Sequence, residues 1–157
     1  MIQLYNDPFL LDFLKVAARM PQDEREQIEA FTGQKYDLDG IAVGNFTVPG
    51  PKFVIKADGE PICVGGFVPQ RPGVFRDFML TTPEAWEKHW FGVTRACRHA
   101  MDWMLNTKQA HRLECISHHS RTKAFRWYEV LGYNREATLY GFCANGADAI
   151  IFSRVKH

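Results

Sequence analysis

The residues best placed to do chemistry lie in SHHSRTKAFRWYEVLGY, from Ser117 to Tyr133. The segment reads as a strand end, a short helix carrying Ala124, Trp127 and Tyr128, and then Leu131-Gly132-Tyr133 opening the next strand. One phenol, Tyr128, therefore falls at a strand–helix junction. A phenol with a pKa of about 10 keeps its proton at neutral pH and can still donate it to a developing anion. On the apolar face of an amphipathic helix the same ring could equally be a core aromatic, and the sequence leaves both roles open. Two carboxylates are candidate bases. Asp77 sits inside VFRDFML, where an acid is locally unusual, and Glu114 lies in RLECIS. Arg76 is next to Asp77 but points to the other face of a strand, so the two are not an automatic pair. His118 and His119 follow the C-terminal end of a strand, where ligands of open α/β sheets collect. Each of these groups can equally be an exposed or ion-paired residue of a one-sided sheet.

Metal chemistry has little support. Cys63, Cys97, Cys115 and Cys143 are widely spaced with no CxxC pair, and the six histidines never fall into paired ligand spacings. His118-His119 is the nearest approach, yet neighbours on a strand point to opposite faces. The same cysteine spacing argues for reduced, mostly buried thiols rather than a disulfide framework. Nineteen basic against eighteen acidic residues give a net charge of +1, which provides no field for nucleic acid or an anionic membrane. No apolar run approaches the ~20 residues of a membrane span, and MIQLYNDPFL lacks the basic and apolar regions of a secretory signal. A cytoplasmic location is expected. A length of 157 residues fits one domain with a real core.

These groups need elements to hold them. Asp7-Pro8 signals a helix start, with Asp7 as N-cap, and apolar spacing from Phe9 to Ala17 predicts a helix over 8–19. Pro21 opens a second helix through PQDEREQIEAF, and Gly33 stops it. Gly40, Gly44, Pro49, Gly50 and Pro51 mark 34–51 as loop around at most a short strand. KFVIKA and PICVGGFV flank Asp58-Gly59, a hairpin signal, and Gly65-Gly66 suggests a bulge or a close backbone approach. Val74 to Leu80 reads as a third strand, and Thr82-Pro83-Glu84 as a further helix start. Val93, Ala96, Cys97, Ala100, Met101, Met104 and Leu105 form the clearest helical stripe. A strand over 111–117 follows, then a helix capped by Ser120 and stopped at Gly132. A hairpin around Asn145-Gly146 ends the chain. The natural packing is an α/β fold, a mixed and mostly antiparallel sheet with helices on its faces.

This order is similar to that of the GNAT superfamily of N-acetyltransferases over roughly 52–155, so the chain reads as one GNAT-like domain over 1–157. The specific motif is Ala124, Tyr128 and Leu131-Gly132-Tyr133, with Arg121 where the family commonly has Asn. The resemblance implies an acetyl-CoA-dependent transfer to an amine acceptor, a small molecule or a peptide, with Tyr128 protonating the leaving thiolate. Direct attack needs a deprotonated amine, the role for which Asp77 and Glu114 are the candidates. It further implies that backbone groups of Phe78, Met79 and Leu80 pair with pantetheine. In the family the diphosphate is cradled at a Gly-rich helix start. The best register here is His89-Trp90-Phe91-Gly92-Val93-Thr94, in which only Gly92 fits and the loop is bulky. Arg95 could add charge there and so could Arg98, or both could simply form the solvated face of the helix. A homodimer is compatible with the resemblance. Thr82, Trp86, Gly92 and TRACRHAMDWML also resemble a narrower GNAT-like group of phage proteins, which implies a virion-associated protein that keeps the fold without transfer.

Overall fold

The computed structural model describes residues 1–107 and 109–157. In chain order the elements are β1 (Ile2–Tyr5), α1 (Leu10–Ala17), α2 (Gln22–Thr32), α3 (Leu38–Thr47), β2 (Lys52–Ala57), β3 (Glu60–Arg71) and β4 (Val74–Thr81). There follow α4 (Pro83–Glu87), α5 (Trp90–Asn106), β5 (Arg112–His118), α6 (Thr122–Val130), β6 (Asn134–Leu139) and β7 (Ala149–Val155). The strands form one seven-stranded sheet ordered β1-β2-β3-β4-β5-β7-β6. Its ladders are antiparallel except β4–β5, which is parallel because α4 and α5 cross over between the two strands.

Each face of the sheet has its own apolar layer. On one face α5 lays Val93, Cys97, Met101 and Met104 against Ile55, Ile62, Leu113 and Phe152, and α6 adds Phe125 and Tyr128. On the other, Phe13, Val16 and Ala17 of α1 meet Val54, Val64 and Leu80, with α3 behind them. The Asp58-Gly59 turn has φ of 49° and 85°, the left-handed pair that a tight hairpin needs. Gly65 makes a close approach rather than a bulge, since a Cβ there would stand 2.5 Å from the Phe53 ring and 2.8 Å from the Phe78 carbonyl oxygen. All four thiols are free and buried.

Three expectations are corrected. Residues 34–51 are mostly helix: α3 forms despite Gly40 and Gly44, because its apolar side chains pack on α1, with the Phe46 ring edge-on to Phe13 at 5.4 Å. The first helix starts at Leu10 with Phe9 as N-cap, and Asp12 rather than Asp7 serves its start by accepting the Phe9 N–H at 2.9 Å. Arg121 is the N-cap of α6, while the Ser120 hydroxyl turns to His118 Nδ1 at 2.7 Å. Strand β1, which pairs with β2, carries no pattern of its own in the sequence.

Candidate active site

The parallel ladder between β4 and β5 is three residues long. Val74 pairs with Arg112, Phe75 with Leu113 and Arg76 with Glu114, and there the register stops. Both strands continue, β4 to Thr81 and β5 to His118. Beyond Arg76 the two strands therefore face each other without a ladder, and their inner edges open into a cavity of about 1430 Å³. The last rung is fixed by side chains: Glu114 accepts from Arg76 Nη2 at 3.0 Å and from Arg112 Nε at 3.0 Å. The wedge that opens past this clamp is lined by Asp77 to Leu80 on one side and by Cys115, Ile116 and His118 on the other. Phe78, Met79 and Leu80 thus present an unladdered strand edge to the cavity, able to pair with an extended ligand.

Alternation along β4 sends Asp77 to the α5–α6 side, where the Tyr133 hydroxyl donates to its Oδ2. The Asp77 carboxyl borders the cavity but is hemmed in by protein on its other sides. Burial is the largest influence on it and pushes its pKa up to about 7, against the hydrogen bond from Tyr133, which favours the ionised form. Tyr128 lines the same cavity from α6, with its ring 6.4 Å from Tyr133 and 5.0 Å from Phe152. Burial pushes the Tyr128 pKa up as well, countered in part by Arg121 and a hydrogen bond with Ser117, so its proton is secure at neutral pH. A carboxyl poised near neutrality and a protonated phenol share one partly dry space. Two groups so tuned can take up and release a proton within one cavity.

The remaining expected site residues fall in different places. Glu114 lies outside the cavity wall, buried in its two-arginine clamp, with both oxygens engaged. Arg121 does reach the wall. His89 is the N-cap of α5, its carbonyl accepting the Val93 N–H at 2.9 Å. A Cβ on Gly92 would stand 2.7 Å from Ile2 Cγ1, so the lack of a side chain here makes room for β1. Val93 is in the core. Thr94 donates to the Trp90 carbonyl at 2.6 Å and accepts the Trp127 Nε1–H at 2.9 Å, and Arg95 is exposed. Among the described residues the wall near this helix start is made by Pro83, Trp86, Glu87 and Trp90. Trp86 meets Trp127 edge-on at 4.9 Å, closing the junction of α4 and α6 with aromatic packing.

Three participants escaped sequence reading. Tyr133 carried a signal as the last residue of the Leu-Gly-Tyr motif, but its hydrogen bond depends on the partner strand. Glu24 and Gln27 lie three apart and so share a face of α2. Glu24 accepts from the Thr81 N–H at 3.3 Å and from the Thr81 hydroxyl. Gln27 accepts from the His118 N–H at 2.9 Å and the Ser117 hydroxyl at 3.2 Å. The helix α2 therefore spans the mouth of the wedge, tied to the end of each strand. His118 and His119 have their rings 4.5 Å apart, since His119 has already left the strand. No group of three or more metal-ligating side chains occurs among the described residues, and no described helix is long and apolar enough to cross a membrane.

No family model matches the sequence, and no curated protein matches it. Solved structures do. An acetyltransferase of the GNAT family from Bacillus anthracis superposes with a TM-score of 0.74 at 13% identity, over 98% of this chain and 94% of that one. A ribosomal-protein-alanine N-acetyltransferase from Escherichia coli gives 0.71 at 16%, over 100% and 96%. An aminoglycoside acetyltransferase, AAC(6')-Ib, in complex with coenzyme A gives 0.71 at 16%, over 99% and 95%. The fold is that of the GNAT acetyltransferases.

Proposed function

We propose that the protein is an N-acyltransferase that moves an acyl group, acetyl in the simplest case, from coenzyme A to an amine, with Asp77 as base and Tyr128 as acid. The single observation that supports it most is the meeting of these two groups at a wedge whose strand edge is free. The pantetheine arm suits the edge formed by Phe78, Met79 and Leu80, because a chain of amides can continue the missing ladder. The diphosphate end is less well served at the start of α5, where the wall is aromatic and carries Glu87. Bound acyl-CoA supplies the activated thioester. The chain's own residues hold and move protons. Asp77 takes the proton released by the attacking amine as the N–C bond forms, and Tyr128 gives its proton to the departing thiolate as the C–S bond breaks. The amine is a small molecule or a peptide terminus, in keeping with acceptors named for proteins of this fold.

A second reading, a GNAT fold retained for protein interactions in a phage particle, is favoured by one observation: Ile2 fills the space that Gly92 would offer a phosphate. Calorimetric titration with acetyl-CoA, with mass spectrometry for co-purified coenzyme, separates the two. Saturable binding at micromolar to millimolar ligand is expected; heat-silent titration at millimolar ligand would sink the transferase reading and leave the second.

A further inference from the structure

We propose that the Glu24 carboxylate occupies an oxyanion subsite formed by Thr81 and Arg121, and that a phosphate of the ligand evicts it as α2 lifts from the wedge. The proposal rests on the acyl-CoA reading for the identity of the ligand. Glu24 is 6% exposed, and it is the one fully buried residue of α2. The helix is thus held to the cleft at this point by a carboxylate rather than by an apolar anchor, and polar bonds are what an incoming anion can replace. The donors around it are the Thr81 N–H at 3.3 Å, the Thr81 hydroxyl and the Arg121 guanidinium.

The fit of the carboxylate to this set is incomplete. Arg121 Nη2 stands 3.8 Å from Glu24 Oε1, beyond hydrogen-bond length, and Arg121 Nε is buried with no acceptor. Asp23, 3.6 Å from the same nitrogen, is 67% exposed and correspondingly screened. An unsatisfied buried N–H is costly, and a tetrahedral phosphate offers oxygens to both Thr81 and a guanidinium at once. Burial raises the Glu24 pKa, against the pull of the Thr81 hydroxyl and Arg121, so the site holds its internal anion under a desolvation penalty. Trp86 Nε1 donates to Thr81 Oγ1 at 2.8 Å and frees the hydroxyl proton for whichever anion is present. The subsite lies between the last residue of β4 and the first residues of α6, at the wide end of the wedge.

Titration of CoA and of pantetheine, which lacks phosphate, into the wild type, Glu24→Gln and the double variant Glu24→Gln/Arg121→Ala tests this. Glutamine keeps the size and an acceptor for Thr81 while removing the charge, and thermal melts verify folding. CoA affinity is expected to rise about tenfold in Glu24→Gln, the scale of one charge-assisted contact. Pantetheine affinity stays within about twofold, and the Arg121 change abolishes the gain. Equal tightening of both ligands, or none for CoA, overturns the subsite. If no variant binds CoA, the transferase reading fails by itself, and inorganic phosphate decides the subsite. A shift of the Thr81 amide resonance in Glu24→Gln that disappears in the double variant supports it; no shift overturns it.

Discussion

The two ends of the wedge differ in what fills them. Between β4 and α6, polar groups face open space: Asp77 of β4 and Tyr128 of α6 border the cavity, and Tyr133 holds the carboxylate from behind. Where β4 runs through α4 into α5, bulky side chains fill the junction. Ile2 stands against Gly92, Trp86 meets Trp127 edge-on, and Thr94 is tied to Trp90 and Trp127. The first end carries the two groups to which we assign proton transfer, and the second is closed by packing. A split sheet tolerates this division because each strand end is held by different neighbours, so one junction can stiffen while the other stays accessible.

The sharpest way to break the contrast is Tyr128→Phe. The variant keeps the ring contacts with Tyr133 and Phe152 and removes the hydroxyl, with its proton and its hydrogen bond with Ser117. Turnover with acetyl-CoA and an amine should fall about 100-fold, the low end for a general acid, with CoA affinity within twofold. An unchanged rate would reduce Tyr128 to a core aromatic and erase the chemical end of the comparison.

Asp77→Asn comes next. For the wild type, kcat/KM should rise with pH through about 7 as Asp77 ionises, and the variant should lose that limb. Tyr133→Phe removes the donor that favours the charged form, so the limb should move to higher pH. Stability carries the opposite sign. A carboxyl whose pKa is raised on folding binds its proton in the native state while the unfolded chain has released it, so ΔG of unfolding falls as pH rises from about 4 to about 7. Asp77→Asn should flatten that decline in chemical denaturation measured across the window. A decline that persists unchanged would assign the linkage to other groups.

Much of this was legible beforehand, and the failures share a cause. The alternation of VFRDFML and the stripe from Val93 to Leu105 reported β4 and α5, because one buried face imposes a period that sequence displays. Tyr128 stood out through the resemblance of the Ala124–Tyr133 motif, not through periodicity, which suits a core aromatic equally well. Helix α3 was hidden by Gly40 and Gly44, since its stability comes from α1 rather than from its own propensities. Glu114 looked like Asp77 on paper: two acids in two strands. What separates them is that Glu114 faces Arg76 and Arg112 while Asp77 faces a phenol and a void, a matter of register between strands that local pattern does not encode. Glu24, one acid among several in PQDEREQIEAF, lies against Thr81, 57 residues away.

The packed end has its own test in Gly92→Val. If the glycine exists to admit Ile2, the added side chain should cost about 1–3 kcal/mol of stability, the range for overpacking, and leave CoA affinity unaltered. Lost affinity at an unchanged melting temperature would instead restore Gly92 to a phosphate cradle and make the two ends alike.

The smallest expected effect belongs to Trp127→Phe. The substitution preserves an aromatic ring against Trp86 and removes one donor, the Nε1–H that Thr94 accepts at 2.9 Å. Thr94 keeps its own bond to the Trp90 carbonyl, so no buried donor is orphaned and the loss should be about 1 kcal/mol. For a chain of this length that lowers Tm by roughly 2–4 °C. The association rate of CoA is the discriminating measurement. A junction closed only by packing loosens without changing how ligand enters, so the rate stays constant while Tm falls. A faster association at unchanged Tm would mean that the Trp127–Thr94 bond bars a ligand path, and the aromatic end would then be a gate rather than a wall.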